Sequence, residues 1–376
     1  MMPAIQLSDR FLKQARALIV VVIAFIALIH ILPFLPLPPI QLAENRVLAE
    51  YPSLPRNWLE ASEFPSKFDK AAQDQLPGRA ILISAINYLR YRLGYSGNSQ
   101  LVEGKDGWIF YDGGSSLRIV RGVLPPTDDM KNFWLSGLMQ RINRVRQAGI
   151  PLFLFVPPDK QSEYPEELPK GLTAVSRTQT DTYLDLARAH GFKNIVDVRE
   201  PLRNHDAASE YYTPWDTHWT GNGAYIAYRA LLEALNLPHV KPFPLDAFEP
   251  TYAYSPSRPH LGSRDLANML GIGEYIHPNF PLFTAKKGPP GVPLETKTPE
   301  IHSYVTGYPG PVLLLIRDSF SDALIPFLIP HFSKIIYMLT EIDFPSAELL
   351  NRTKPDVVVM EIVERNLGSG MWPLKN

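Results

Sequence analysis

Two hydrophobic rhythms alternate through the C-terminal two-thirds of the chain. Unbroken apolar runs occur at Leu152-Phe153-Leu154-Phe155-Val156, at Val312-Leu313-Leu314-Leu315-Ile316 and at Val357-Val358-Val359-Met360. Runs without polar alternation suit strands that are covered on both faces. Shorter strands are predicted at 194–198 and 335–339. Between them the apolar residues fall at helical spacing, predicting helices over 176–190, 221–235, 322–328 and 347–352. Another helix, opened by Thr127 as N-cap, runs through Phe133, Leu138, Ile142 and Val145 and stops at Gly149. Strand and helix therefore take turns, which predicts an α/β domain with a mostly parallel central sheet and helices on both faces. In such sheets ligands gather at the carboxyl ends of the strands.

Ahead of this domain the pattern is different. Ala17 to Leu37 is almost wholly apolar and carries no formal charge, whereas Arg10, Lys13 and Arg16 precede it. At about 1.5 Å per residue the run reaches across a roughly 30 Å hydrocarbon layer. The flanking basic residues predict a cytoplasmic segment 1–16, a single-pass transmembrane anchor at 17–37 and an outward-facing remainder. A cleaved signal peptide fits less well, because the run is long and ends in prolines. Residues 38–100 form a proline-punctuated connector and a helical lead-in over 56–73 and 80–93, interrupted at Leu76-Pro77-Gly78-Arg79. Asp106-Gly107 predicts a turn into an aromatic strand. From 238 to 309 the periodicity is lost, which predicts a loop-rich insertion in the domain of residues 101–376.

Composition narrows the function. The 37 Lys and Arg nearly balance 38 Asp and Glu, so the net charge of -1 gives no general attraction for nucleic acid. No cysteine is present. Disulfides, thiolate nucleophiles and cysteine metal sites are thereby excluded. The densest chemistry lies in Tyr211-Tyr212-Thr213-Pro214-Trp215-Asp216-Thr217-His218-Trp219-Thr220, where a carboxylate precedes an imidazole by two residues inside an aromatic collar. A carboxylate on one ring nitrogen fixes the tautomer and leaves the other nitrogen free to take a proton from a nucleophile. About a hundred residues on, the apolar run ends at Arg317-Asp318-Ser319-Phe320. Ser319 is thus expected at the exit of a buried strand, where it would complete the set. Taken singly, the Asp-x-His pair also fits a surface hydrogen bond, and Asp318 and Ser319 also fit helix caps. No third ligand is spaced to join Asp216 and His218 in a metal site on one element. Lys160 and Arg365 lie just after predicted strands, on what would be the same rim. Trp219 and Tyr212 offer either sugar-stacking faces or core packing.

Several segments together resemble the alginate O-acetyltransferase family of bacterial exopolysaccharide systems, whose domains are similar to SGNH hydrolases with a rearranged motif order. They are Glu44-Asn45-Arg46, Gly104-Lys105-Asp106-Gly107-Trp108-Ile109-Phe110-Tyr111, Val156-Pro157-Pro158-Asp159-Lys160, Asp216-Thr217-His218-Trp219-Thr220, Asp318-Ser319-Phe320 and Glu364-Arg365. The resemblance implies an SGNH hydrolase-like three-layer fold and a triad of Ser319 as nucleophile, His218 as general base and acid, and Asp216 as orienting carboxylate. It implies acetyl transfer through an acyl-serine to an exopolysaccharide hydroxyl, with no cofactor and no metal. It further implies an inner-membrane protein with its catalytic domain in the periplasm, supplied with acetyl groups by a membrane-bound O-acyltransferase. Two departures stand out: Arg317 occupies a position where the family carries glycine, and a Gly-Asp-Leu-like segment appears as Arg264-Asp265-Leu266. Lys160, Arg365, Trp219 and Tyr212 are the candidate substrate contacts. A carbohydrate esterase or deacetylase and a noncatalytic polysaccharide-binding scaffold are the competing readings.

Overall fold

The computed structural model of the chain describes residues 9–31, 47–76, 78–203, 211–251, 264–277, 280–285, 292–294, 301–340 and 344–374. These form two compact units, divided between Leu93 and Gly94, with Asn268–Tyr275 joining the first.

The first unit is helical: α1 (Asp9–Ile31), α2 (Trp58–Asp74) and α3 (Arg79–Arg92). Asn57 caps α2 by accepting the Glu60 N–H at 2.9 Å. Gly78, at φ 73, takes the left-handed turn that separates α2 from α3. Ser84 and Asn87 on α3 donate to the carbonyls of Gly271 and Leu270, which holds the 268–275 segment against this unit. The expected anchor is helical as far as Ile31, and residues 32–37 of it lie outside the described residues. Arg10, Lys13 and Arg16 fall in the N-terminal half of α1. Among the described residues no helix is long and apolar enough to cross a membrane.

The second unit opens with a hairpin of β1 (Leu101–Glu103) and β2 (Ile109–Tyr111), turned by Asp106 and Gly107 at positive φ. The chain continues through α4 (Ser116–Val120), α5 (Asp128–Gln147), β3 (Leu152–Val156), α6 (Lys160–Glu163), α7 (Gln179–Ala189), β4 (Ile195–Asp197), α8 (Arg199–Arg203) and α9 (Gly221–Leu235). Then follow β5 (Phe248–Thr251), α10 (Asp265–Met269), β6 (Leu282–Ala285), β7 (Val292–Leu294), β8 (Ile301–Val305), β9 (Val312–Arg317), α11 (Ser321–Leu328), β10 (Lys334–Leu339), α12 (Ala347–Thr353) and β11 (Val357–Glu361).

Seven strands make one sheet in the order β4-β3-β11-β9-β10-β8-β7. From β4 to β10 each neighbour is parallel, while β8 and β7 add on antiparallel at one edge. Side chains alternate across the sheet, and both faces are covered, which explains the unbroken apolar runs. Leu313 and Leu315 of β9 pack with Tyr228 and Leu231 of α9 and with Leu324 and Phe327 of α11. Leu314 and Ile316, on the other face, pack with Trp134 and Leu138 of α5, Tyr183 of α7 and Leu350 of α12. The result is a three-layer α/β unit with a mixed sheet. The stretch expected to be loop-rich contributes β5 and β6, paired antiparallel to each other, and the edge strands β7 and β8. Its His302 and Ser303 interrupt the apolar character that marks the central strands, which is why the sequence pattern does not reveal them.

On the α9 and α11 face Tyr228 accepts the Phe243 N–H and donates to His331 Nε2, each at 2.7 Å. Burial pulls His331 down to about 4. The unfolded chain takes up this proton near pH 6.5, so stability should be whole above that pH and decline as pH falls towards 4. His331→Gln keeps an acceptor for Tyr228 without titrating, and chemical denaturation across pH 4–7 should show a flatter dependence; equal slopes would contradict the assignment. Phe327, fully buried between Tyr228, Phe248 and Phe283, seats α11 on the sheet. Phe327→Ala should cost about 3–5 kcal/mol in urea denaturation.

Candidate active site

The segment from Tyr211 to Thr220 closes on itself. Tyr212 and Trp219 form an antiparallel bridge, and the Thr220 N–H donates to the Tyr211 carbonyl at 2.8 Å. Thr220 then caps α9 by accepting the Gly223 N–H at 3.2 Å. A side chain at Gly223 would place its Cβ 2.6 Å from the Tyr211 carbonyl oxygen, so this approach requires glycine. The carbonyls within such a loop need donors. The Ile109 N–H of β2 reaches that of Pro214 at 2.9 Å, and Lys160 supplies further donors. Its buried Nζ donates to the carbonyls of Thr213 (3.0 Å), Pro214 (3.2 Å) and Asp216 (2.8 Å), and lies 5.4 Å from the centres of the Trp108 and Phe110 rings.

Asp216 is wholly buried, and its carboxylate is divided among three donors. Oδ1 accepts the backbone N–H of His218 and the Nδ1–H of its ring, both at 2.8 Å, and Oδ2 accepts the backbone N–H of Asp265 at 2.9 Å. This bond places the proton of the neutral imidazole on Nδ1 and leaves Nε2 as an acceptor. Nε2 lies 2.7 Å from Ser319 Oγ. The Phe320 ring packs against the imidazole at 4.9 Å, and Trp219 donates its indole N–H to the Phe320 carbonyl at 3.0 Å.

Ser319 stands between β9 and α11. Asp318 shapes that turn: Oδ1 accepts the Phe320 N–H and Oδ2 the Val363 N–H from beyond β11, both at 2.9 Å. Arg317 leans away to Asp322, 2.6 Å distant, and to the Asp318 carbonyl at 3.0 Å, with its guanidinium over the Tyr337 ring. Ser319 opens into a cleft of about 310 Å³ lined also by Arg317, Asp318, Leu339, Arg365 and Asn366. Arg365 pairs with Asp159 and lies over the rings of Tyr111 and Phe320.

Burial opposes charge throughout this region, and neighbours decide the outcome. For His218 burial pulls downward, but the hydrogen bond and charge of Asp216 and the charge of Asp265 prevail over it and over Arg365, raising the imidazole to about 8. Burial together with Asp216 pushes Asp265 up to about 6. Lys160 is drawn down to about 7 by burial, against the pull of Asp265 and Asp216. Its three carbonyl partners require the protonated ammonium. Glu361, beneath the first turn of α11 and bonded by the Ser321 hydroxyl, is raised well above the carboxylate range by burial and by Asp318.

Ser319, His218 and Asp216 therefore form one hydrogen-bonded chain, and Arg365 shares the Ser319 cleft. Lys160, Tyr212 and Trp219 do not present their polar groups to that cleft. Each is buried, with the Tyr212 hydroxyl on the Pro158 carbonyl at 2.7 Å. Lys160, expected on the strand rim, is there in sequence but turns inward, because the carbonyls of the 211–220 loop are the acceptors within its reach. Tyr212 and Trp219 likewise pack as loop supports rather than stacking faces.

Asp265 was not singled out for a role by spacing, although Arg264-Asp265-Leu266 was a visible signal. It accepts the Thr217 N–H at 2.7 Å and the Thr217 hydroxyl, and its Oδ2 is 3.5 Å from His218 Nδ1. Asp216, His218 and Asp265 bring potential metal-ligand atoms within 4.8 Å of one another. Both oxygens of each carboxylate already accept hydrogen bonds from N–H or O–H groups, so the set fits proton handling and not a metal.

Comparison with known proteins bears on the same region. Residues 101–284 match the family described as SGNH hydrolase-like domain, acetyltransferase AlgX. The chain is 26% identical over 191 residues to the probable alginate O-acetylase AlgJ of Pseudomonas aeruginosa, a match covering 50% of this chain and 45% of that protein. It thus spans less than half the length of that relative. Among solved structures, Bacillus cereus PatB1 with a sulfonyl adduct superposes with a TM-score of 0.54 at 12% identity, over 73% of this chain and 97% of that one. A DHHW family protein from Eubacterium siraeum superposes with a TM-score of 0.52 at 16% identity, over 73% of this chain and 96% of that one. These two likenesses speak to the fold. On the sequence matches, residues 101–284 are similar to the SGNH hydrolase-like acetyltransferase domain described for AlgX, and half of the chain is similar to part of the alginate O-acetylase AlgJ.

Proposed function

We propose that the protein is an O-acetyltransferase that passes an acetyl group through Ser319 to a hydroxyl of an exopolysaccharide. The observation that carries this reading is the chain Ser319 Oγ–His218 Nε2–Nδ1–Asp216, with separations of 2.7 and 2.8 Å, at the wall of a cleft. His218 Nε2 takes the Ser319 proton as Oγ attacks the acetyl carbonyl, and it returns that proton to the leaving group as the acetyl-serine ester forms. The acceptor hydroxyl next gives its proton to Nε2 and attacks the ester, and Ser319 leaves as the alcohol, recovering the proton. Each half passes through an oxyanion. The Ser319 N–H, at the strand-to-helix turn, is the proposed donor to it, a kind of contact worth about 3 kcal/mol.

Arg365 adds positive charge to the cleft and is the proposed substrate contact among the four residues singled out for that role. Arg317 stands on the same wall and is held to Asp322 at 2.6 Å. The segment 17–37 is the proposed membrane anchor, with residues 1–16 on the cytoplasmic side and the domain in the periplasm. Cytoplasmic acetyl-CoA does not reach a site so placed, so the proposal includes a membrane-bound O-acyltransferase as source of acetyl groups. An esterase would share the acyl-serine and differ only in letting water take it.

Full-length protein exposed to a chromogenic acetyl ester should gain one acetyl group on Ser319 by peptide mass spectrometry, and Ser319→Ala should gain none. A folded, unmodified wild type would overturn the reading, and acetate release unaffected by an added acceptor glycan would favour the esterase. Because His218 must be neutral to accept the proton, kcat/KM should rise with pH and level off above about 8. Below that value it should fall by about tenfold per pH unit; a flat profile from pH 6 to 9 would contradict the general-base role.

A further inference from the structure

We propose that Asp265 is a positioning residue of this site: its carboxylate holds Thr217 and faces the Nδ1 side of His218, so that it tunes the basicity of the imidazole that Asp216 orients. This rests on the reading of His218 as general base and deepens it.

The geometry separates the work of the two carboxylates. Asp216 makes the direct bond to Nδ1 at 2.8 Å, which suffices to fix the ring. Asp265 Oδ2 stands at 3.5 Å from the same nitrogen, outside hydrogen-bond range but near enough for its charge to be felt. Between them lies Thr217, whose Oγ1 is 3.2 Å from Nδ1 and donates to Asp265. The Asp265 carboxylate thus spends its hydrogen bonds on the residue next to His218 and its charge on the ring.

A purely structural part for this carboxylate is a poor fit, because the backbone around it already fastens the loop. The N–H groups of Leu266 and Ala267 reach the Trp215 carbonyl at 3.0 and 3.3 Å, and the Asp265 N–H reaches Asp216. None of these bonds needs the side chain of residue 265. Other charges facing the imidazole are few. Asp216 and Asp265 favour its protonated form, and Arg365 opposes it. Lys160 faces both carboxylates from α6, and Asp318 faces Arg365. Removal of the Asp265 charge therefore leaves Arg365 less opposed, and the imidazole should release its proton at lower pH.

The test follows the ring of His218 by NMR against pH in the full chain, wild type beside Asp265→Asn and Asp265→Ser, which keep a small polar group without the charge. The midpoint should move from near 8 to a value lower by about one pH unit, and the acid limb of kcat/KM should move with it. A folded variant with an unmoved midpoint overturns the proposal. Should neither variant fold, the wild type still decides. Its His218 resonance should show a second, smaller inflection near pH 6 as Asp265 takes up a proton, and a single inflection overturns the proposal. Acetylation of Ser319, measured on the same samples, separates the two claims. An adduct without a shifted midpoint sinks the role of Asp265 alone, and a shifted midpoint without an adduct sinks the transferase reading alone.

Discussion

The site depends on one buried carboxylate. Asp216 is removed from water, and a carboxylate so placed is tolerable only if its lone pairs are met by donors. The donors it finds are the N–H of His218, the ring of His218 and the N–H of Asp265, from a segment far along the chain. Satisfying the charge and aiming the imidazole are therefore the same event. Once Nδ1 is committed to Asp216, Nε2 is left for Ser319, and no further device is needed to choose the tautomer.

Holding that carboxylate in place falls to the sheet and to Lys160. Strands β3, β9 and β11 lie side by side in parallel, so the segments leaving their carboxyl ends meet on one edge. From β3 comes Lys160, which gathers three carbonyls of the 211–220 loop. From β9 comes Ser319, and from the end of β11 come Val363, which binds Asp318, and Arg365. The aromatic collar does the packing: Trp219 bonds Phe320, and Phe320 abuts His218, so the histidine loop and the serine turn are seated on each other.

Much of this was legible in the sequence. The unbroken runs at 152–156, 312–316 and 357–360 read as doubly covered strands and proved to be adjacent ones, and helices 221–235 and 322–328 lie within a residue of α9 and α11. Asp216, His218 and Ser319 stand out in the sequence by residue type and by position relative to strand and helix, and the fold joins them by hydrogen bonds. What escaped were features made only by the fold. The antiparallel edge strands β7 and β8 carry polar residues and have no apolar signature. Lys160, a charged residue after a strand, reads as a rim residue until the carbonyl-lined loop is seen around it. Tyr212 and Trp219 read equally as stacking faces and as core, and the structure buries both. Asp265 lies 47 positions beyond His218 in the sequence, and its proximity is a property of tertiary folding alone.

The central claim is that His218 makes the Ser319 hydroxyl reactive. The rate at which a sulfonyl fluoride modifies Ser319 tests this without reference to any acetyl donor or acceptor. In folded His218→Ala that rate should fall by about a hundredfold or more relative to wild type, the range associated with loss of a positioned base. Equal rates in the two proteins would mean that the hydrogen bond between the two side chains does no chemistry.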